Sequence, residues 1–168
     1  IEIDCGSDDG LRVGMPVVNE AGLVGKLTTV ALDTAVVMLI ADPQYSVTVS
    51  IAGGDRPVNG VLRGMGGDRL PQASPIEPDG ASGSPVIGDA VTTAGGTDSQ
   101  APPGLPVGRV AAVDVSSGEP IYDVQPVTGV DPDEPLVVLL YVPPREAAST
   151  AVGLKPQAVR IDGTDSSE

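Results

Sequence analysis

Apolar residues in this chain never run on for long, because glycine and proline, 22 and 17 of 168 residues, cut them into short stretches. The longest, Ala35 to Ala41 and Leu136 to Val142, hold seven residues each. Neither approaches the roughly 20 residues a helix needs to cross a bilayer. No segment keeps an apolar stripe at helical spacing over three turns, and short runs bounded by turn formers are the mark of strands. The apolar side chains agree with this. Phe and Trp are absent and the only aromatics are Tyr45, Tyr122 and Tyr141, so valine, alanine, leucine and isoleucine must fill the core. β-Branched side chains suit a pleated surface better than a helix. With 40% of residues apolar and patterned, low-complexity disorder is a poor account of the glycine and proline. The expected fold class is all-β.

Ile1 to Asp4 alternates and stops at the turn Gly6 to Gly10; Leu11 to Val18 and Leu23 to Val30 flank a tight turn at Asn19 to Gly22. Val36 to Ile40 reads as a strand buried on both faces, ended by Asp42-Pro43. Tyr45 to Ile51 alternates strictly, with Tyr45, Val47, Val49 and Ile51 on one face. Residues 65 to 84 are dense in Gly, Pro, Asp and Ser and read as a long loop; strands resume at Ala90 to Thr93, Leu105 to Val115, Ile121 to Val127 and Leu136 to Val142. One stretch echoes another: Gly22-Leu23-Val24-Gly25-Lys26-Leu27-Thr28-Thr29-Val30 resembles Gly104-Leu105-Pro106-Val107-Gly108-Arg109-Val110-Ala111-Ala112-Val113. The echo fits two similar small barrels, each needing a glycine where a strand bends or another backbone comes close. The expected organisation is two small β-barrel subdomains. The first covers 1–63 and the second 64–144, with 64–87 as its long loop, and a mobile, disordered C-terminal tail follows over 145–168. A late strand crossing back to complete the first barrel would move the boundary near 63. The chain opens in mid-pattern at Ile1, without a signal peptide, and reads as part of a longer protein.

The formal net charge is −14, from 23 acidic and 9 basic residues. Such a body repels polyanions, which argues against nucleic acid and against direct binding to anionic lipid. Much of the acidity lies in turns, where Asp is also a turn former. Catalysis meets a simpler obstacle, because the chain contains no histidine. Ser82-Gly83-Ser84-Pro85 looks faintly like the glycine-flanked serine of a barrel protease, but the usual base is missing and only Lys26 and Lys155 could replace it. Cys5, the single cysteine, lacks an imidazole to activate it and has no partner for an intrachain disulfide or a cysteine-cluster metal site. Asp4, Asp8 and Asp9 crowd one turn, but counting from Asp4 an EF-hand would need a glutamate where Met15 stands. Asp131, Asp133 and Glu134 also read as turn acidity. Gly64-Met65-Gly66-Gly67 precedes no helix and no P-loop lysine. No enzyme, cofactor or metal reading survives, and function is expected to lie in surfaces.

Read together, the motifs resemble the rod shape-determining MreC family, over residues 4 to 142. Asp4-Cys5-Gly6-Ser7-Asp8-Asp9-Gly10-Leu11-Arg12-Val13-Gly14-Met15-Pro16-Val17 looks like the opening of that family's β-domain, and Gly22-Leu23-Val24-Gly25 follows in place. Leu39-Ile40-Ala41-Asp42 with Tyr45-Ser46-Val47, then Gly60-Val61-Leu62-Arg63-Gly64, are similar to its next segments. Gly88 to Gly95, Pro103 to Val110 and Leu136 to Leu140 resemble its second half. The chain departs from the family at Ala101-Pro102, where an aromatic is usual, and at Cys5, where a basic or polar residue is common. The resemblance implies a non-catalytic scaffold of the cell-elongation machinery (the elongasome of peptidoglycan synthesis) on the outer face of the cytoplasmic membrane. It would be anchored by an N-terminal transmembrane helix and coiled coil absent from this chain. Implied partners are a class B penicillin-binding protein, MreD, RodA and, through the membrane, MreB, together with self-association. The candidate contact residues are Tyr45, Val47 and Val49 on one strand and Ala101, Pro103 and Leu105 in one loop, although Tyr45 reads equally as core. Two other classes compete: a secreted β-sandwich adhesin or carbohydrate-binding module, for which three tyrosines are few, and a degenerate protease-like barrel.

Overall fold

The computed structural model describes residues 1–76, 84–96, 101–127, 135–140 and 157–161. Within them the short apolar stretches become strands. The first four are β1 (Glu2–Ile3), β2 (Pro16–Val18), β3 (Leu23–Val30) and β4 (Ala35–Leu39). There follow β5 (Ser46–Ile51), β6 (Val58–Arg63), β7 (Gln72–Pro75), β8 (Ala90–Thr93), β9 (Pro106–Asp114) and β10 (Ile121–Pro126). The last two are β11 (Leu136–Leu140) and β12 (Gln157–Ile161). A single 3-10 turn at Ser7–Asp9 is the one helical element among the described residues. The chain is all-β, as its sequence predicts.

Two β-units result, one closed and one open. Strands β5 to β10 form a closed barrel in the order β10-β7-β6-β5-β8-β9, and the remaining strands form an open, curled sheet, β1-β4-β3-β2-β11-β12. Every pairing is antiparallel. The pairing does not follow a division at residue 63. β5 and β6, placed in the first unit by their position in sequence, pair with each other inside the closed barrel. β11 crosses back to the open sheet, where Val137 and Val138 sit opposite Val18 and Val17. The barrel is thus inserted between β4 and β11. β11 is thus the late strand whose crossing back moves the boundary near 63. Alternation defines a strand's buried face but not its neighbour, so the departure of β5 and β6 from the first unit is not visible in the pattern.

Other expectations change as well. The long loop over 64–87 contains β7, which has one fully buried side chain, Ala73. That strand is held instead by ladders to β6 and β10 and by Gln72 Nε2 donating to Asp123 Oδ1 at 2.9 Å. Within the stretch read as a tail, β12 pairs with β11 from Leu136↔Ile161 to Leu140↔Gln157, so that part is ordered as a strand. The rest of 145–168 lies outside the described residues. The strand read as buried on both faces, β4, buries Ala35 and Val37 while Val36 and Met38 are half-covered. One face is covered, as befits an antiparallel sheet.

The closed barrel is narrow. An eight-stranded barrel is just wide enough for side chains to fill, and six strands enclose less. Its interior holds Val49, Ile51, Leu62, Val91, Val107, Val110 and Val124, each at most 1% exposed, with Ala73 among them. Branched aliphatic side chains fit this bore, which accounts for a core without Phe or Trp. Each such burial stabilises by roughly 1.5–3 kcal/mol. The open sheet curls over a second cluster, Ile3, Leu11, Met15, Val17, Leu27, Ala35, Val37 and Val138. β11 supplies Val138, so the first unit needs this late strand to close its core.

The repeated Val-Gly-basic motif has a physical basis. A Cβ at Gly25 would run into the backbone carbonyl of Met38 on β4, and one at Gly108 into that of Gln125 on β10. Both glycines sit in strands whose ladders slip nearby, β2–β3 between Val17 and Val18 and β8–β9 between Val91 and Thr92. The echo marks the same device used once in each sheet. Gly108→Ala is therefore expected to cost about 1–3 kcal/mol by overpacking against backbone that cannot yield. Thermal unfolding should read this as a drop of several degrees, and an unchanged Tm would refute the close approach.

Candidate partner-binding surfaces

The barrel has two mouths. At the near mouth, where β5 and β9 begin, the open sheet presses against it. Leu23, at the start of β3, is fully buried and belongs to the barrel's core cluster, as does Ile40 beyond β4. Lys26, also on β3, donates from Nζ to the Ser46 carbonyl at 3.4 Å and lies 5.1 Å from the centroid of the Tyr45 ring. A cation over a tyrosine face adds roughly 0.5–1 kcal/mol at a partly exposed site. Together these contacts make the near mouth an internal seam.

The seam decides the fate of the strand proposed as a contact surface. Tyr45 is 2% exposed and Val49 wholly buried, while Val47 is half-buried against the barrel core. The alternation marks a face that looks inward. Burial pushes the Tyr45 phenol well above the ordinary tyrosine value, because the phenolate would lose its hydration. The loop Ala101 to Leu105 also has a structural task. Thr93, 1% exposed, donates from Oγ1 to the Pro102 carbonyl at 2.6 Å and accepts from Leu105 N–H at 2.9 Å. This staple folds Ala101 inward at 7% exposure and leaves Leu105 packed on the barrel core. Of the six candidate residues, only Pro103 is exposed.

The chemistry-bearing motifs resolve similarly. In the acidic turn, Asp9 Oδ2 accepts from Gly6 N–H at 3.0 Å, and Ser7 N–H donates to the Ala31 carbonyl at 2.8 Å, so the carboxylate clips a turn. Among the described residues, no three His, Cys, Asp or Glu side chains gather as metal ligands. The half-buried Cys5 thiol is pushed up in pKa by burial first and then by the Asp9 and Asp4 carboxylates, the opposite of activation. Gly64 and Gly66 spend their N–H groups on the Tyr45 and Ala41 carbonyls, at 3.2 and 2.8 Å, instead of cradling an anion. Ser84 is exposed ahead of β8, while Lys26 is engaged at the opposite mouth. Ser82, Lys155, Asp131, Asp133 and Glu134 lie outside the described residues.

Sequence patterning missed a different surface. Ile76, Val86, Ile87, Val113 and Val115 are 54%, 61%, 68%, 37% and 67% exposed. Strand directions put all five at the far mouth, where β7 and β9 end and β8 and β10 begin. Val113 and Val115 continue the alternation of β9 past the end of the core, so nothing in the pattern separates them from Val107 and Val110. Length was the available cue, since β9 is longer than the strand it pairs with on one side, β8.

A closed aliphatic barrel inserted into an open sheet, packed against that sheet at one mouth and carrying exposed apolar side chains at the other, is a bilobed β-module. Sequence comparison narrows the class: the family pattern for "Rod shape-determining protein MreC, barrel core" matches residues 1–141. The chain belongs to the MreC family of rod shape-determining proteins. The cell shape-determining protein MreC of Escherichia coli (strain K12) is 28% identical over 136 residues, 77% of this chain and 34% of the relative. The chain thus spans about a third of that protein. MreC from Pseudomonas aeruginosa superposes with a TM-score of 0.63 at 27% identity, over 76% of this chain and 79% of that one. MreC in a Helicobacter pylori complex with penicillin-binding protein PBP2 shares the fold, with a TM-score of 0.53 and 19% identity over 68% and 69% of the two chains. Among the described residues, no helix is long and apolar enough to cross a membrane.

Two outcomes follow from the seam and the staple. Thr93→Val removes both hydroxyl bonds and is expected to cost about 1–3 kcal/mol, with faster amide exchange at the 101–105 loop; unaltered exchange there would refute the staple. Because the folded pKa of Tyr45 is raised, its contribution to stability is complete below the unfolded value of roughly 10 and is lost as pH climbs beyond it. Denaturation titrations between about pH 9 and 11 should show stability falling with pH, and Tyr45→Phe should flatten that slope.

Proposed function

We propose that this chain is the extracytoplasmic β-module of a scaffold in the bacterial cell-elongation machinery. It binds a class B penicillin-binding protein and favours that enzyme's active conformation by holding the active state more tightly. The observation that carries the reading is the family match across residues 1–141, joined to the H. pylori relative's occurrence in a complex with PBP2. A location outside the cytoplasmic membrane is supported by another relative of the same fold, described as the major periplasmic domain of MreC. In the whole protein an N-terminal anchor and coiled coil would tether the module to the membrane beside MreD and RodA, and MreB across it. Self-association is part of this reading. The open sheet ends at β1 and β12, and strand edges accept further strands, whereas the closed barrel has none. The module's role is non-catalytic.

Among the described residues the carbohydrate-binding alternative finds no aromatic platform, since Tyr45 and Tyr122 are each 2% exposed and cannot stack on a sugar; Tyr141 lies outside them. The experiment is direct. The purified chain is immobilised and titrated with the soluble extracytoplasmic part of a class B penicillin-binding protein from the same bacterium. Acylation of that enzyme's active-site serine by a fluorescent penicillin is followed with and without the chain. Saturable binding and faster acylation are expected. Absence of binding would remove the partner from this reading, and binding without faster acylation would remove the activation.

A further inference from the structure

Resting on the partner reading above, we infer that the far mouth of the closed barrel is the docking surface, and that it takes an apolar protein segment flanked by lysine or arginine. The near mouth is already occupied by Leu23 and Ile40 from the other unit. At the far mouth, among the described residues, no side chain from the open sheet joins the barrel core. Tyr122 is buried opposite Val113, and Val110 N–H and carbonyl bond to the Asp89 carbonyl and the Gly88 N–H, which brings the exposed Val86-Ile87 turn alongside the far half of β9. Val113 and Val115 continue from there into the β9–β10 hairpin. On the next side of the mouth, Ile76 follows β7, the other neighbour of β10. Exposed apolar side chains scattered singly need no explanation, but five converging on one end of a barrel do.

Charge selects the occupant. Asp55, Asp114 and Glu119 stand exposed in the far-mouth hairpins, with Asp89 half-buried beside them. Two cations stand against them, Arg56 and Arg109, and Arg109 Nη1 is committed to the Gly88 carbonyl at 3.0 Å. The hydrogen bonds that Ser116 donates from its hydroxyl and backbone to Asp114 hold that carboxyl below its usual range, so it stays ionised. A second copy meeting this face would bring the same acidic rim and another net charge of −14 against it. Anionic lipid is repelled for the same reason. Apolar side chains within a basic surround satisfy both the apolar centre and the rim, and like-charge partners are rejected.

The test uses the intact chain and the same penicillin-binding protein fragment as probe. A triple variant, Val86→Ser with Ile87→Ser and Val115→Ser, changes exposed side chains only and should unfold at the parent temperature. Its affinity should fall by about tenfold or more, while Leu32→Ser, 68% exposed in the turn between β3 and β4, should bind as the parent does. Glu119→Lys should weaken binding and slow association, and added salt should weaken the parent. If the parent binds and the triple variant binds equally, the far mouth is not the surface, although the partner reading stands. If the parent does not bind at all, the partner reading falls and takes this inference with it. Tighter binding by Glu119→Lys, or loss of a parent dimer in the triple variant by sedimentation, would overturn the basic-flanked occupant.

Discussion

The bore of a six-stranded barrel is the constraint from which the rest of this molecule follows. Six strands leave room for branched aliphatic side chains in close contact and for little else, so the interior is lined by valine with Ile51, Leu62 and, at β7, Ala73. The two large side chains of this core stand at its ends, Tyr45 at the near one and Tyr122 at the far one. The near end is sealed by Leu23 and Ile40 from outside the barrel, and this makes the two units one packed body. At the far end Tyr122 is buried opposite Val113, and beyond it Val113, Val115 and their neighbours are exposed.

Much of the fold was legible because the device that makes strands here, alternation broken by glycine and proline, is local. Leu23–Val30, Ser46–Ile51 and Ile121–Pro126 follow directly from their patterns. The glycine echo was legible too, since Gly25 and Gly108 each answer to a neighbouring carbonyl. Pairing was not legible, because it is decided between segments distant in sequence. β7 carries one buried apolar residue between Pro71 and Pro75 and is a strand through its neighbours' ladders, and β11 joins the open sheet through Val17 and Val18.

Exposure was less legible than strand position, and one physical reason covers both places where the two differ. Period-two patterning locates a face without saying whether it looks into a core or out to solvent. Tyr45, Val47 and Val49 alternate and pack into the barrel core, whereas Val113 and Val115 alternate likewise and are exposed at its end. Ala101 and Leu105 were drawn inward by Thr93, a polar residue whose buried hydroxyl no apolar pattern reveals. Family membership needed none of these details, because motif order survives changes in which side chains face water.

The insertion of the barrel between β4 and β11 also dictates an order of events. β2 and β11 meet through Val17↔Val138 and Val18↔Val137, yet the entire barrel separates them along the chain. A chain that emerges from its N-terminus cannot complete the open sheet until the barrel has been synthesised, whereas β5–β6 and β9–β10 pair between strands close in sequence. Long loops are costly to close before their contacts are made, and local pairings form first. Once formed, the barrel fixes the separation between the start of β5 and the end of β10, and so shortens the loop that β11 must bridge. The inserted unit is then a template on which the sheet that encloses it in sequence is assembled last.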